Sequence, residues 1–383
     1  MPWNDIRGQE TQKSLLQRAA IEGRVSHAYL FIGLPGIGKE SVALEFAKLL
    51  NCSNPITGGQ EINACGVCPS CKKMDSLRHP NLDMVFALPA GSGTDTDKSD
   101  PYARLNDAQI KEINSQIEEK SQDPYHKIEI TKASQIKIAS VRYIKKKLSL
   151  SATQQGRRCV LVFDCEKMTG EAANAFLKTL EEPNDNVTII LISSRPELLL
   201  QTILSRCQVV HFEPLSEEII QDYLIETHHL LDSEARIISK FAQGSITSAI
   251  KFLDDDMRRL REESIDMMRT AIKKNYRVEL MKMIDSAAKS YDKTKLHIML
   301  SMMTLWINDV ISLVKLENSS NLTNFDQAEV IVKFANAFQN KDLANIIDQI
   351  ENTRKKLNFN VQPQNALLSL FLRIRQNLLG ITT

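Results

Sequence analysis

The sequence predicts a parallel α/β sheet domain followed by helices alone. Three observations carry this expectation. Short apolar runs alternate with helical patterns as far as residue 212, a glycine-rich turn joins the first run to the first long helix, and strand-like runs stop after Pro214. Alternation of this kind favours parallel strands with helices on both faces.

The strand runs are His27 to Ile32, Arg158 to Asp164, Asn186 to Ser193 and Gln208 to Phe212. Helical stretches between them include the one ending at Leu50 and Glu171 to Leu180. Two segments interrupt the alternation: a cysteine cluster at 51–80, and a polar insertion at 89–126. The insertion opens on a Gly/Ser/Thr/Asp-rich loop and continues as a polar helical stretch, which reads as a solvated excursion. Beyond Pro214, short helical patterns at 216–227, 233–242 and 245–253 precede long amphipathic ones. The last pattern, 362–379, lines up Ala366, Leu367, Leu370, Phe371, Ile374 and Leu378 on one face. The expected domains are 1–213, 214–256 and 257–383.

Bulk properties narrow the function. The 43% hydrophobic and 25% charged content is that of a globular chain, and the net charge of +1 gives no global attraction for nucleic acid. The densest basic region is Arg142, Lys145, Lys146, Lys147, Arg157 and Arg158, which reads first as a solvated face and second as a phosphate contact. No uninterrupted apolar run of about 18 residues occurs. The N-terminus lacks a basic region followed by an apolar one. A cytoplasmic protein without a membrane span is expected.

Gly33-Leu34-Pro35-Gly36-Ile37-Gly38-Lys39-Glu40 follows the first strand and nearly matches the phosphate-binding pattern G-x-x-x-x-G-K-[ST]. In a working loop, backbone N–H groups cradle phosphates, the lysine meets the outer ones, and the hydroxyl holds Mg²⁺. Here Glu40 stands where the hydroxyl belongs. Ser41 is a poor substitute, because one helical step turns the side chain by about 100°. Val160 to Asp164 has the form of the Walker B strand that accompanies such a loop, with Asp164 at the C-terminal end where sheet folds place ligands. ATPases of this kind usually place a glutamate next, to orient the attacking water; here it is Cys165. On an extended strand Glu166 would point away from the face that Cys165 takes.

Seven cysteines are present, and Cys52, Cys65, Cys68 and Cys71 cluster with C-x-x-C spacing. Thiolates so spaced can share one tetrahedral Zn²⁺, with a closed and therefore structural coordination sphere; an iron–sulfur cluster is the rival. Cys159, Cys165 and Cys207 read as core residues.

Together these motifs resemble the bacterial DNA polymerase III clamp-loader subunits of the AAA+ superfamily, delta-prime type. The resemblance is carried by Trp3 to Gln9, by His27 to Gly33 leading into the loop, and by the cysteine module. Asn174 to Pro183 is close to N-A-L-L-K-T-L-E-E-P, and Ser205-Arg206-Cys207 matches the S-R-C motif. The 89–126 insertion departs from the family pattern. The resemblance implies a RecA-like AAA+ domain with a zinc insertion, a small helical lid, and an all-α collar. It implies that Arg206 reaches into a neighbouring subunit's ATP site. It also implies gamma/tau-like and delta-like subunits as partners, with the sliding clamp and primed DNA met through the assembly. Active loader ATPases carry G-S-x-R at the lid helix, where this chain has Gly244-Ser245-Ile246-Thr247. Ser193 and Ser194 occupy the region of the family's first sensor. With Glu40, Cys165 and Thr247 all departing, the expectation is a subunit of the polymerase holoenzyme without ATP hydrolysis of its own, and ATP binding is unsupported. Two alternatives are an ATP-hydrolysing gamma/tau-like subunit and a free-standing zinc-containing nucleic-acid-binding protein.

Overall fold

The computed structural model describes residues 3–58, 61–90, 100–149, 156–181, 186–253, 255–316, 322–359 and 361–380. Most of the Gly/Ser/Thr/Asp-rich loop, and Glu182 and Pro183 of the family-like motif, lie outside the described residues. The chain divides into two compact units: residues 1–223 with 243–248, and residues 224–242 with 249–383. The stretch 214–256, expected as one lid, therefore contributes to both.

Among the described residues the first unit is built on seven strands: β1 (Ala28–Ile32), β2 (Ile56–Gly58), β3 (Glu61–Asn63), β4 (Leu82–Val85), β5 (Arg158–Val162), β6 (Val187–Ser193) and β7 (Gln208–His211). Five of them form one sheet in the order β4-β5-β6-β1-β7, with every described pairing parallel. β2 and β3 make a separate antiparallel hairpin. Side chains alternate across the sheet as the two-residue period demands. Tyr29, Phe31, Leu161 and Ile190 face one core, and Ala28, Leu30, Val160 and Ile189 face the other. The helices are α1 (Glu10–Ile21), α2 (Lys39–Leu50), α3 (Pro69–Asp75), α4 (Asp107–Gln122), α5 (Ile138–Ser149), α6 (Gly170–Glu181) and α7 (Gln201–Leu204). Leu16 of α1 and Val42, Ala43 and Phe46 of α2 fill the first core. Val141 and Ile144 of α5, Phe176 of α6 and Ile203 of α7 fill the second. Each such side chain, fully buried, contributes roughly 1.5–3 kcal/mol by removal from water. Only β4 and the hairpin strands lie outside the strand runs expected from the sequence.

Among the described residues the second unit is all helical. It takes in the later turns of α8 (Glu217–His228), α9 (Asp232–Phe241) and α10 (Ile246–Lys251). There follow α11 (Asp255–Ile272), α12 (Arg277–Ser290), α13 (Lys293–Leu316), α14 (Ala328–Phe338), α15 (Leu343–Asn358) and α16 (Pro363–Leu379). The buried residues of α16 are Ala366, Leu367, Leu370, Phe371, Ile374 and Leu378, the face its periodicity marks. Within α13, Lys295–Lys315 reaches a mean hydropathy of 1.4, enough by length and composition to cross a bilayer. Its Leu296, Met299, Leu300, Met303, Trp306 and Val310 are instead spent on the core of this unit.

Candidate functional site

The phosphate-type loop leaves the C-terminal end of β1, next to β6, and delivers its chain into α2. Gly36 and Gly38 take positive φ values of 72° and 98°, which side-chain-bearing residues rarely adopt. At Gly36 a Cβ would stand 2.5 Å from Thr247 Cβ, so glycine is also what lets the turn at 245–247 close on the loop. Ile246 N donates to Gly36 O at 3.0 Å. The cradle is thus formed.

The groups around it are already engaged. Lys39, only 5% exposed, donates its ammonium to Gly33 O at 2.7 Å, to Leu34 O at 2.5 Å and to Ser194 Oγ at 3.3 Å. Burial pushes this ammonium down to about 8, with Glu40, Asp164 and Glu166 opposing the shift. Glu40 pairs with Lys120 of α4 at 2.6 Å. Ser41 Oγ donates to Pro124 O at 2.7 Å, and Thr247 Oγ1 to Tyr125 O at 2.9 Å. The cavity left between loop, Lys120, Pro124, Tyr125 and Thr247 is about 30 Å³. That is room for about one or two waters, whereas ligand pockets run to roughly 300–1,000 Å³.

Asp164 emerges from β5 as expected, but the Mg²⁺ role that a carboxylate could play there is opposed by two ammonium groups. Lys167 Nζ lies 2.8 Å and Lys127 Nζ 3.3 Å from Asp164 Oδ2. Burial alone would raise this carboxyl, but the two lysines outweigh it and the net shift is downward. Cys165 is fully buried in the second core, and desolvation holds its thiol well above the ordinary range. The extended backbone expected through Glu166 does not form. β5 ends at Val162, Asp164 turns left-handed at φ 48°, and residues 165–167 form a short 3₁₀ turn. The turn brings Glu166 Oε1 round to accept from Ser194 N at 3.3 Å, beside the hydroxyl that meets Lys39.

The expected solvated character of the insertion is also corrected where its end meets the loop. Lys120 is 2% exposed, and Tyr125 is buried. Nothing in the sequence marks this: Lys120 sits among the charges of a polar helix, and its burial depends on the long-range partner Glu40. Lys127 and Lys167 were missed for the same reason.

The cysteine module is assembled from the end of α2, the hairpin and α3. The sulfurs of Cys52, Cys65, Cys68 and Cys71 all lie within 4.8 Å of one another. Tetrahedral Zn–S bonds of about 2.3 Å require sulfurs about 3.8 Å apart, and Cys65 Sγ to Cys71 Sγ is 3.9 Å. Backbone N–H groups of Cys65, Cys68 and Cys71 point at the sulfurs of Cys52, Cys65 and Cys68 respectively. That donor set fits a thiolate-held divalent ion.

Arg206 follows α7 at the start of β7. Its Nη2 meets Glu181 Oε1, the last residue of α6, at 2.5 Å, and its Nη1 donates to Thr202 O at 2.9 Å. The basic region splits. Arg157 is spent on Thr188 Oγ1 and two carbonyls, Lys147 and Arg158 face Asp83, and Arg142 and Lys146 are exposed.

A five-stranded parallel sheet with a glycine loop after a central strand, an acidic residue after another and a helical C-terminal region is an AAA+ type protein with a RecA-like core. Residues 8–216 match the family model described as DNA polymerase III, delta subunit, and residues 260–376 match the one for that subunit's C terminus. The chain belongs to this family, as a clamp-loader subunit of the delta-prime type. It is 26% identical over 362 residues to DNA polymerase III subunit delta' of Bacillus subtilis, covering 94% of each chain. It is 23% identical over 339 residues to the Escherichia coli subunit delta', covering 88% of this chain and 84% of that one. Similarity to the Escherichia coli subunit tau is 28% over 258 residues, 65% of this chain but 32% of tau.

Proposed function

We propose that this chain is a non-hydrolysing clamp-loader subunit that completes a neighbour's ATP site with Arg206. In this reading it works in the cytoplasm beside gamma/tau-like and delta-like subunits, within the polymerase III holoenzyme. The assembly, not this chain alone, meets the sliding clamp and primed DNA. The family supplies the clamp-loader role; the observation that carries the rest is how the catalytic positions are filled. Glu40 is salt-bridged to Lys120, Cys165 is sealed in the core, and Thr247 gives its hydroxyl to Tyr125 O. Glu40 has no hydroxyl with which to hold Mg²⁺, Cys165 is buried away from any attacking water, and Thr247 has no positive charge to present to a γ-phosphate.

The zinc site would hold the 52–71 module together through Cys52, Cys65, Cys68 and Cys71. Zn²⁺ bound to four thiolates supplies cross-linking and no open position for chemistry.

Steady-state ATP turnover by the isolated full-length chain tests the non-hydrolysing reading. No turnover above buffer is expected. Turnover abolished by Lys39→Ala would replace it with the gamma/tau-like reading.

A further inference from the structure

We infer that residues 120–127 are a tethered occupant of the nucleotide site: a piece of the chain's own insertion takes the place of a ligand. This goes beyond the absence of hydrolysis, since a site can bind without cleaving.

The segment meets the elements that surround the site. Pro124 O accepts from Ser41 at the start of α2, and Tyr125 O accepts from Thr247 in the turn bonded to Gly36. Arg7 N donates to Tyr125 Oη at 2.8 Å, while the Tyr125 ring stacks edge-on with Tyr223 at 5.4 Å. A Cβ on Gly38 would stand 3.7 Å from the Tyr125 ring, so the ring packs on the loop itself. The charges are matched as well. Lys120 places its ammonium on Glu40, where a working loop would hold its cation, and Lys127 reaches Asp164.

The segment is also braced by bonds within the insertion itself. Asn106 and Gln109 form a reciprocal capping box at the start of α4. Glu112 accepts from Thr131 N and Oγ1, and Gln116 Oε1 accepts from Glu129 N, which ties the returning strand of the loop to the helix. Lys120 donates to Pro124 O and His126 O, fixing the turn between them. A tethered group competes at an effective concentration of about millimolar or more, and such internal bracing lowers its ordering cost. The neighbouring cavity, about 210 Å³, offers no alternative phosphate cradle. It is lined by Glu40, Asp164 and Lys127 and contains neither the loop glycines nor Lys39.

Hydrogen–deuterium exchange on the full-length chain, with and without MgATP, tests this directly. Amides of 120–127 and of the 33–40 loop should be protected without nucleotide, and millimolar MgATP should change neither. Two substitutions add a second reading: Lys120→Met and Tyr125→Ala should each lower Tm by roughly 2–4 °C or more. Exchange of 120–127 at unprotected rates, or its release by MgATP, would overturn the inference. So would unchanged Tm in both variants. Nucleotide binding without turnover would sink the occupant and leave the non-hydrolysing reading standing, so the two failures are distinguishable.

Discussion

Lys120 Nζ stands 2.6 Å from Glu40 Oε2, joining a helix of the insertion to the position where phosphate-binding loops carry a hydroxyl. The pair explains why the departure at Glu40 is not a simple defect. The carboxylate that would repel a polyphosphate is the anchor for a buried ammonium. Restoring the consensus with Glu40→Thr should therefore not restore ATP use. It leaves Lys120, which is 2% exposed, with the carbonyls of Pro124 and His126 but no counter-charge, and losing one partner of a buried pair costs about 3 kcal/mol. Urea denaturation checks the direction; a variant as stable as the parent would show that the pair contributes nothing.

A second expectation concerns pH. Glu45 of α2 is 2% exposed, and among the described residues neither of its oxygens has a hydrogen-bond partner. Lys48, 3.5 Å from Glu45, makes a closer contact of 2.9 Å with Asp75. Burial pushes the Glu45 carboxyl up to about 7, with Lys48 only partly opposing it. Between its ordinary value of 4.5 and about 7, the folded chain then binds more protons than the unfolded one. Stability from this group falls as pH rises through that window. Glu45→Gln should raise Tm over the parent most at about pH 8, with the gain shrinking toward about pH 4.5. A gain independent of pH would remove Glu45 as the titrating group.

Zinc should behave as a structural cross-link. Metal analysis should find about one zinc per chain, lost in Cys71→Ser, with a lower Tm after chelation because metal binding is coupled to folding. Chelation that leaves Tm unchanged would show that the module holds together by its hydrogen bonds alone.

The Arg206–Glu181 pair should be a weak latch. Its side chains are 33% and 46% exposed, and pairs so placed are worth about 0–1 kcal/mol. Glu181→Gln should change stability by less than about 1 kcal/mol and loader turnover by less than about fivefold. A larger loss of turnover at unchanged stability would make Glu181 a positioning residue for Arg206.

Much of this was legible in the sequence because the relevant signals are local. The β1 run, the loop glycines and the α2 pattern are contiguous, and the cysteine spacing is a short-range code. The buried face of α16 follows from periodicity alone. What was illegible depends on distant partners. Lys120 reads as one more solvated charge until Glu40, 80 positions away in sequence, is placed beside it. Glu166 was read on an extended strand because strand periodicity was carried past Val162, where the left-handed turn at Asp164 ends it. β4 was missed because Asp83 interrupts its apolar run, and the Lys147 and Arg158 partners that let a carboxylate sit in the strand are distant in sequence.

In the proposed function, this chain's remaining chemistry is directed outward through Arg206. ATP turnover by a loader reconstituted with Arg206→Ala tests it most directly. The account predicts a loss of activity at the neighbouring site on the order of 10³–10⁵-fold, the scale of an arginine finger, with assembly of the loader unchanged. Turnover equal to that of the parent assembly would contradict it.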